Sequence, residues 1–251
     1  MRIGFVGTGT ITAAIVDGLR TAGNDTPILL SPRSADIGAA LAARHADVRV
    51  ADSNQAVLDG SDLVVLAVRP QVADEVLPAL RFRPDHHVLS VIATVSLDHL
   101  RGIVAPATRI TRAVPLPAVA LRQGPTAIYP PNAEVQALFD QLGTAVVLAD
   151  EAAFDIFTAA TATMASYFAF AATVTVWMTQ RGVQAEQART FVGQMLGGLA
   201  VTGPGVDFDQ LADEHQTRGG LNEQVVRAVT SDGRFTQLDA ALDGILARLR
   251  G

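Results

Sequence analysis

The sequence predicts an α/β protein in two parts: a doubly wound, mostly parallel sheet over residues 1–150 and an all-helical domain over 151–251. Residues 1–19 run from a short apolar strand through Gly7-x-Gly9 straight into an amphipathic helix. Short apolar runs then alternate with amphipathic stretches, the pattern of strands buried on both faces beneath covering helices. Beyond Asp150 the alternation stops and only helical patterns remain.

In chain order, strands are expected at 3–6, 27–30, 48–50, 63–67, 87–91, 109–113, 126–129 and 145–148. Helices are expected at 11–21, 36–44, 54–59, 71–80, 97–103 and 133–142, between most of those strands. The strands after Pro115 extend the sheet, with an antiparallel direction as an option. In the second part, helices are expected at 151–181, 185–202, 207–215, 220–231 and 236–249. Asp150 and Glu151 suit the first of these, because negative charge is favoured at a helix N-terminus. Turns at 202–205 and 231–234 punctuate the bundle.

A chain of 251 residues, 49% hydrophobic and 18% charged, has enough apolar material for a compact soluble protein with a sizeable core. Its net charge of −6 argues against nucleic acid and offers no basic surface to anionic lipid. Cysteine is absent, which excludes disulfides, thiol nucleophiles and cysteine-bound zinc. All 19 basic residues are arginine, which excludes Schiff-base chemistry and any lysine acid or base. Without a Gly-x-Ser-x-Gly elbow, a P-loop or a His-x-x-x-His pair, hydrolase, kinase and metalloenzyme readings have no support, and no metal site is expected. Fold-forming sequence follows Met1 directly, so no leader is expected and the cytoplasm is the expected location. The uncharged stretch 156–180 is long enough to span a bilayer, yet it is rich in Thr, Ser and Gln and lacks a flanking basic cluster. The expectation is a helix covered by a second copy of the chain, in an intertwined homodimer or a higher oligomer, with no membrane.

The glycine turn between a strand and a helix is the pattern of a dinucleotide site. Gly7 and Gly9 let the backbone turn tightly and approach a pyrophosphate, which then rests on free helix N–H groups. Gly7, Thr8, Gly9, Thr10 and Ile11 are the expected contacts; a glycine-rich turn with no cofactor is the alternative. The residue that ends the second strand selects the nucleotide, an acid favouring the 2′-hydroxyl of NADH. Here the strand ends in Ser31-Pro32-Arg33-Ser34, with no acid. Arg33 can fork onto a 2′-phosphate, and Ser31 and Ser34 can donate to it. NADPH is therefore the expected cofactor, with NADH as the alternative. Arg69 and Pro70, ending the fourth strand, are expected at the crevice where such a nucleotide binds, with Val68 as an apolar wall; plain strand termination is the alternative.

Several segments together resemble the pyrroline-5-carboxylate reductase family. Ile3-Gly-Phe-Val-Gly-Thr-Gly9 is similar to the family's nucleotide motif, with Thr12 where a small Ala is usual. Leu66-Ala-Val-Arg-Pro-Gln71 and Ser90-Val-Ile-Ala-Thr-Val-Ser-Leu97 resemble two of its strand ends. Arg112-Ala-Val-Pro-Leu-Pro117 sits where the family has Arg-Ala-Met-Pro-Asn-Thr-Pro, and Thr217-Arg-Gly-Gly-Leu-Asn-Glu223 at its Ser-Pro-Gly-Gly-x-Thr loop. The resemblance covers the whole chain. It implies a Rossmann-type domain, an all-helical dimerisation domain, NADPH or NADH as hydride donor, and an active site between domains and subunits. The departures fall on the chemistry: Leu116 stands where the family has an Asn near the nicotinamide. Thr161-Ala-Thr-Met-Ala-Ser166 replaces its Ser-Gly-Ser-Gly-Pro-Ala turn, and Asn222 replaces a Thr able to bond the substrate's ring nitrogen.

Imine reduction asks the protein to position an electrophile and to hold its carboxylate. Thr217, Arg218, Gly219 and Gly220 suit the second task, because a Gly-Gly pair opening a helix can present backbone N–H groups to an anion. A helix cap beside a solvated arginine is the competing reading. Asn222 could hydrogen-bond the imine nitrogen and Thr217 could add a hydroxyl, which makes these two the candidate catalytic residues. His215 could act as an acid near neutral pH, although a lone histidine is more often structural. Tyr167 could donate from the long helix, although an aromatic among Ala and Phe is usually core. His45, His86, His87 and His99 read as surface residues. The expected function is NADPH-dependent reduction of a small carboxylated cyclic imine, pyrroline-5-carboxylate first. A related reductase of another imine or keto acid, and a non-catalytic NADP(H) or metabolite sensor, are the alternatives.

Overall fold

The structure, a computed structural model, describes residues 1–202, 205–231 and 236–250. The turn residues Gly203 and Pro204, and 232–234 of the second turn, lie outside the described residues. The chain divides into two compact units, Met1–Thr158 and Ala159–Gly251.

The first unit is built on one eight-stranded sheet: β1 (Ile3–Val6), β2 (Ile28–Leu30), β3 (Val48–Val50), β4 (Leu63–Leu66), β5 (His87–Ser90), β6 (Arg109–Pro115), β7 (Pro125–Tyr129) and β8 (Thr144–Val147). Their order is β3-β2-β1-β4-β5-β6-β7-β8. Strands β1 to β6 run parallel; β7 pairs antiparallel with β6 and parallel with β8. Order reverses between β1 and β4, which opens a crevice above the carboxyl ends of those strands.

Alternate side chains point to opposite faces. Ile3 and Phe5 of β1 join Ile15, Leu19, Leu63 and Leu89 in one buried cluster. Val6 joins Val64, Leu66, Val88 and Leu100 in the other. The covering helices are α1 (Thr10–Thr21), α2 (Ala35–Arg44), α3 (Asn54–Asp59), α4 (Pro70–Val76), α5 (Leu97–Ile103) and α6 (Ala133–Asp140). Their starts follow local chemistry. Ser53, Ser96 and Asn132 cap α3, α5 and α6 through side-chain oxygens that accept from first-turn N–H groups, and Pro70 opens α4.

One expectation fails after β8. The helix expected at 151–181 is two helices, α7 (Glu151–Ala160) and α8 (Met164–Thr179), joined by a 3-10 turn at Thr161–Thr163. Thr163 Oγ1 donates to the Ala160 carbonyl at 2.8 Å, local bonding that competes with the regular ladder. The helices α9 (Ala185–Thr202), α10 (Phe208–Glu214), α11 (Leu221–Val229) and α12 (Thr236–Arg250) complete the second unit. Helix α9 buries Ala188, Val192 and Leu196, spaced for one face. Helix α8 is apolar on every side and buries none of its residues, with Phe168 69% and Trp177 55% exposed. By length and composition alone, Glu151–Thr179 would be sufficient to cross a membrane.

Candidate functional site

The glycine turn is set by hydrogen bonds from buried hydroxyls. Gly7 has φ of 107°, and a Cβ there would lie 2.4 Å from the Ala67 carbonyl oxygen, so only glycine lets β1 turn this close to the end of β4. Its N–H donates to Ser31 Oγ at 2.9 Å. Thr8 Oγ1 donates to the Ser31 carbonyl at 2.7 Å, and Thr12 Oγ1 donates to the Gly7 carbonyl at 2.6 Å. That last bond accounts for Thr12 in a place that usually holds Ala: its hydroxyl is buried but partnered.

Gly9 is the N-cap of α1, which has no side-chain cap and no acid in its first turn. A Cβ on Gly9 would meet nothing within 4 Å. The first-turn N–H groups of Thr10 and Ile11 have no partner within the helix, and the Gly9 Cα beside them adjoins open space. That arrangement fits a dinucleotide pyrophosphate. At the end of β2, Arg33 is exposed and Ser34 half-buried. Ser31 corrects the expectation of a phosphate donor: it is buried, and its hydroxyl is spent on Gly7 and Thr8. Arg69 and Pro70 are exposed and Val68 half-buried where β4 enters α4.

A further polar group lies where β5 and β6 end, and the sequence reading missed it. Arg112, 3% exposed, pairs in register with Ser90, the last residue of β5. Its Nη1 donates to Glu151 Oε1 at 2.6 Å and approaches Asp155 Oδ1 at 3.5 Å, while Nη2 donates to the Ala93 carbonyl at 3.1 Å. The guanidinium carbon lies 4.3 Å from the centre of the Phe154 ring. Glu151 Oε1 also accepts from the Leu97 N–H at 2.7 Å. The available signal was an arginine inside an apolar strand, with two acids four residues apart on one later helix face. Leu116 is half-buried against the cluster of Val114, Ala127, Leu148 and Phe154.

In the second unit, Arg218, Gly219, Glu223, Gln224, Arg227 and Ala228 line a cavity of about 500 Å³. Two expectations are corrected there. The N–H groups of Gly219 and Gly220 are not bare: Gly219 donates to Glu223 Oε2 at 2.5 Å, and Gly220 to the Thr217 carbonyl at 2.7 Å. Asn222 spends Nδ2 on the His215 carbonyl at 2.7 Å. The groups left for an anion are the first-turn N–H groups of Leu221 and Asn222, with no partner within the helix, and the exposed Arg218 and Thr217 side chains. His215 Nδ1 is bonded to the Leu211 carbonyl at 2.8 Å. Tyr167 is exposed within the single chain and packs edge-on against Phe168.

His86 and His87 are also corrected, since both are buried. His86 Nε2 meets the Leu58 carbonyl, and His87 lies between Thr111 Oγ1 and Glu134. Burial pushes both imidazoles below the ordinary histidine value, with Arg83 adding to the shift at His86 and Arg109 at His87. Among the described residues no cluster of His, Cys, Asp or Glu could hold a metal ion.

Two family models match the chain: "NADP oxidoreductase coenzyme F420-dependent" over residues 2–94, and "Pyrroline-5-carboxylate reductase dimerisation" over 151–250. A pyrroline-5-carboxylate reductase of Pseudomonas aeruginosa is 31% identical over 180 residues, which span 66% of this chain and 64% of that protein. The Escherichia coli enzyme of the same name is 28% identical over 245 residues, spanning 92% of this chain and 91% of that one. Among solved structures, 1-pyrroline-5-carboxylate reductase from Streptococcus pyogenes superposes with a TM-score of 0.85 at 24% identity, covering 100% of this chain and 98% of that one. The Plasmodium falciparum pyrroline carboxylate reductase with NADP bound gives 0.83 at 18% identity, covering 100% and 97%.

Proposed function

The chain belongs to the pyrroline-5-carboxylate reductase family, and from that premise we propose that it is an NAD(P)H-dependent oxidoreductase that reduces pyrroline-5-carboxylate to proline. The observation that carries this reading is the uncapped start of α1 beside Gly9, in a chain aligned with a named reductase over nine tenths of its length. The cofactor supplies hydride to the imine carbon, and the imine nitrogen ends the reaction protonated.

Gly7, Thr8, Gly9, Thr10 and Ile11 form the pyrophosphate floor, with Thr8 acting through its backbone because its hydroxyl is buried. Arg33 and Ser34 select NADPH over NADH, since no acid at the end of β2 competes for a ribose 2′-hydroxyl. Val68, Arg69 and Pro70 border the nucleotide at the end of β4. Arg218, with the first-turn N–H groups of α11, holds the substrate carboxylate; Thr217 and Asn222 Oδ1 are the remaining polar groups for the ring nitrogen. The working form is a cytoplasmic homodimer made through the helical unit, because an α8 apolar on all sides needs a second apolar surface.

A second reading, reduction of a neighbouring imine, draws support from the spent N–H groups of Gly219 and Gly220 and from Leu116. One assay separates the two. NADPH absorbance is followed with pyrroline-5-carboxylate, pyrroline-2-carboxylate and the piperideine carboxylates in parallel. Fast oxidation with the first establishes the proline reaction. Silence there with turnover of another compound moves the function to that imine, and silence throughout with NADPH bound rejects both.

A further inference from the structure

The turn between β5 and α5 is held by one ion pair, between Arg112, whose side chain is 3% exposed, and Glu151, whose side chain is 32% exposed. Within it the Ile92 N–H donates to Ser90 Oγ at 3.3 Å and the Val95 N–H to the Ile92 carbonyl at 3.3 Å. The middle of the turn and the start of α5 are each bonded to the pair of Arg112 and Glu151. Arg112 Nη2 takes the Ala93 carbonyl, and Glu151 Oε1 takes the Leu97 N–H while bonded to Arg112 Nη1. Burying the Arg112 charge costs desolvation that offsets much of its attraction to Glu151, so the pair is a poor way to gain stability. Arg112 Nε is, in addition, buried without a hydrogen-bond partner, a cost that an apolar side chain would avoid. What such a pair does provide is fixed geometry.

The place of that geometry matters. In a doubly wound sheet each half takes one mononucleotide. With the pyrophosphate at Gly9 and the adenosine end beside Arg33, the nicotinamide end extends over β4 and β5. The segment from Val91 to Ser96 leaves the carboxyl end of β5 there. We propose that Arg112, braced by Glu151 and stacked on Phe154, is a positioning residue that fixes the β5–α5 turn as the rest for the nicotinamide ring, and so sets the hydride-transfer distance. This rests on the cofactor placement under the proposed function.

The test uses the full-length protein as Arg112→Met, Arg112→Lys and Glu151→Gln, with far-UV circular dichroism and melting to establish folding. Three readouts follow: NADPH affinity, the emission of bound NADPH, and steady-state kinetics with NADPH and with NADPH deuterated at the transferred position. A ring that has lost its rest should lower kcat about 100-fold in Arg112→Met. The kinetic isotope effect on kcat should rise, the emission of bound NADPH should move toward that of free NADPH, and its affinity should change less than about threefold. Lysine should restore part of kcat, and Glu151→Gln should show the same pattern at smaller size. Wild-type kcat, isotope effect and emission in folded variants would overturn the proposal. So would a kcat loss that only tracks the folded fraction, and so would wild-type kinetics in Glu151→Gln where Arg112→Met fails to fold. If the wild type turns over no imine, the proposed function fails alone, and the emission of bound NADPH still decides the role of Arg112.

Discussion

The two units bury their apolar residues in different ways. In Met1–Thr158 most large apolar side chains of the sheet lie in three buried clusters, so the sheet is covered within its own unit, although Ile156 and Phe157 of α7 stand exposed. In Ala159–Gly251 the most apolar helix, α8, buries none of its residues, and Tyr167, Phe168, Phe170 and Trp177 all stand exposed. An exposed apolar stretch of that kind marks an interaction surface. The first unit holds its sheet core by its own contacts; the second leaves apolar surface uncovered and matches a dimerisation family model over residues 151–250.

The largest expected effect breaks the second half of this contrast. Phe170→Glu places a charge on the exposed apolar face of α8 and should abolish assembly, so that light scattering reports monomer while the first unit still binds NADPH. Joint loss of both would show the units to be interdependent. Next is Gly7→Ala, which forces a left-handed backbone on a residue with a Cβ and drives that Cβ against Ala67. It should lower stability by about 3 kcal/mol by chemical denaturation and weaken NADPH and NADH alike. Arg33→Ala is narrower: NADPH affinity should fall about 10-fold or more, with NADH little changed. Equal losses would return Arg33 to solvent. Arg218→Ala should raise KM for a carboxylated imine several-fold and leave kcat near its starting value; an unchanged KM removes it from the carboxylate.

The smallest effect lies in the self-sufficient unit. His86 and His87 are buried with their pKa values pushed below the ordinary 6.5, chiefly by desolvation. The unfolded chain therefore takes up protons at a pH where the folded one stays neutral. Their contribution to stability is complete above about pH 6.5 and falls as pH drops from there toward the lowered folded values. The melting temperature should decline across that acidic window, and His87→Gln should flatten the decline.

Most of the first unit was legible because its signals are local. Runs such as Leu63–Leu66, ended by turn residues, mark buried parallel strands, and Gly7-x-Gly9 marks the tight turn into α1. What escaped notice depends on partners distant in sequence. His87 is buried because β6 brings Thr111 and α6 brings Glu134 to it. Arg112 became intelligible only when α7 placed Glu151 and Phe154 around it. The break at Thr161–Thr163 carries no Gly or Pro, so nothing in composition announced it. The loss of the Gly219 N–H was readable in principle: Glu223, in the first turn of α11, is placed to reach back past its start.

The hydroxyls around Gly7 have a consequence for the thermodynamics of nucleotide capture. Thr8, Thr12 and Ser31 set the turn through bonds internal to the protein. On the proposed cofactor placement, a nucleotide would meet a floor already ordered by these bonds, so most of the entropy lost on binding would fall on the ligand and on the exposed Arg33 side chain. Capture should consequently resemble docking onto a rigid surface with a single movable arm, its association rate responding to ionic strength through Arg33 and hardly at all to solvent additives that stiffen loops.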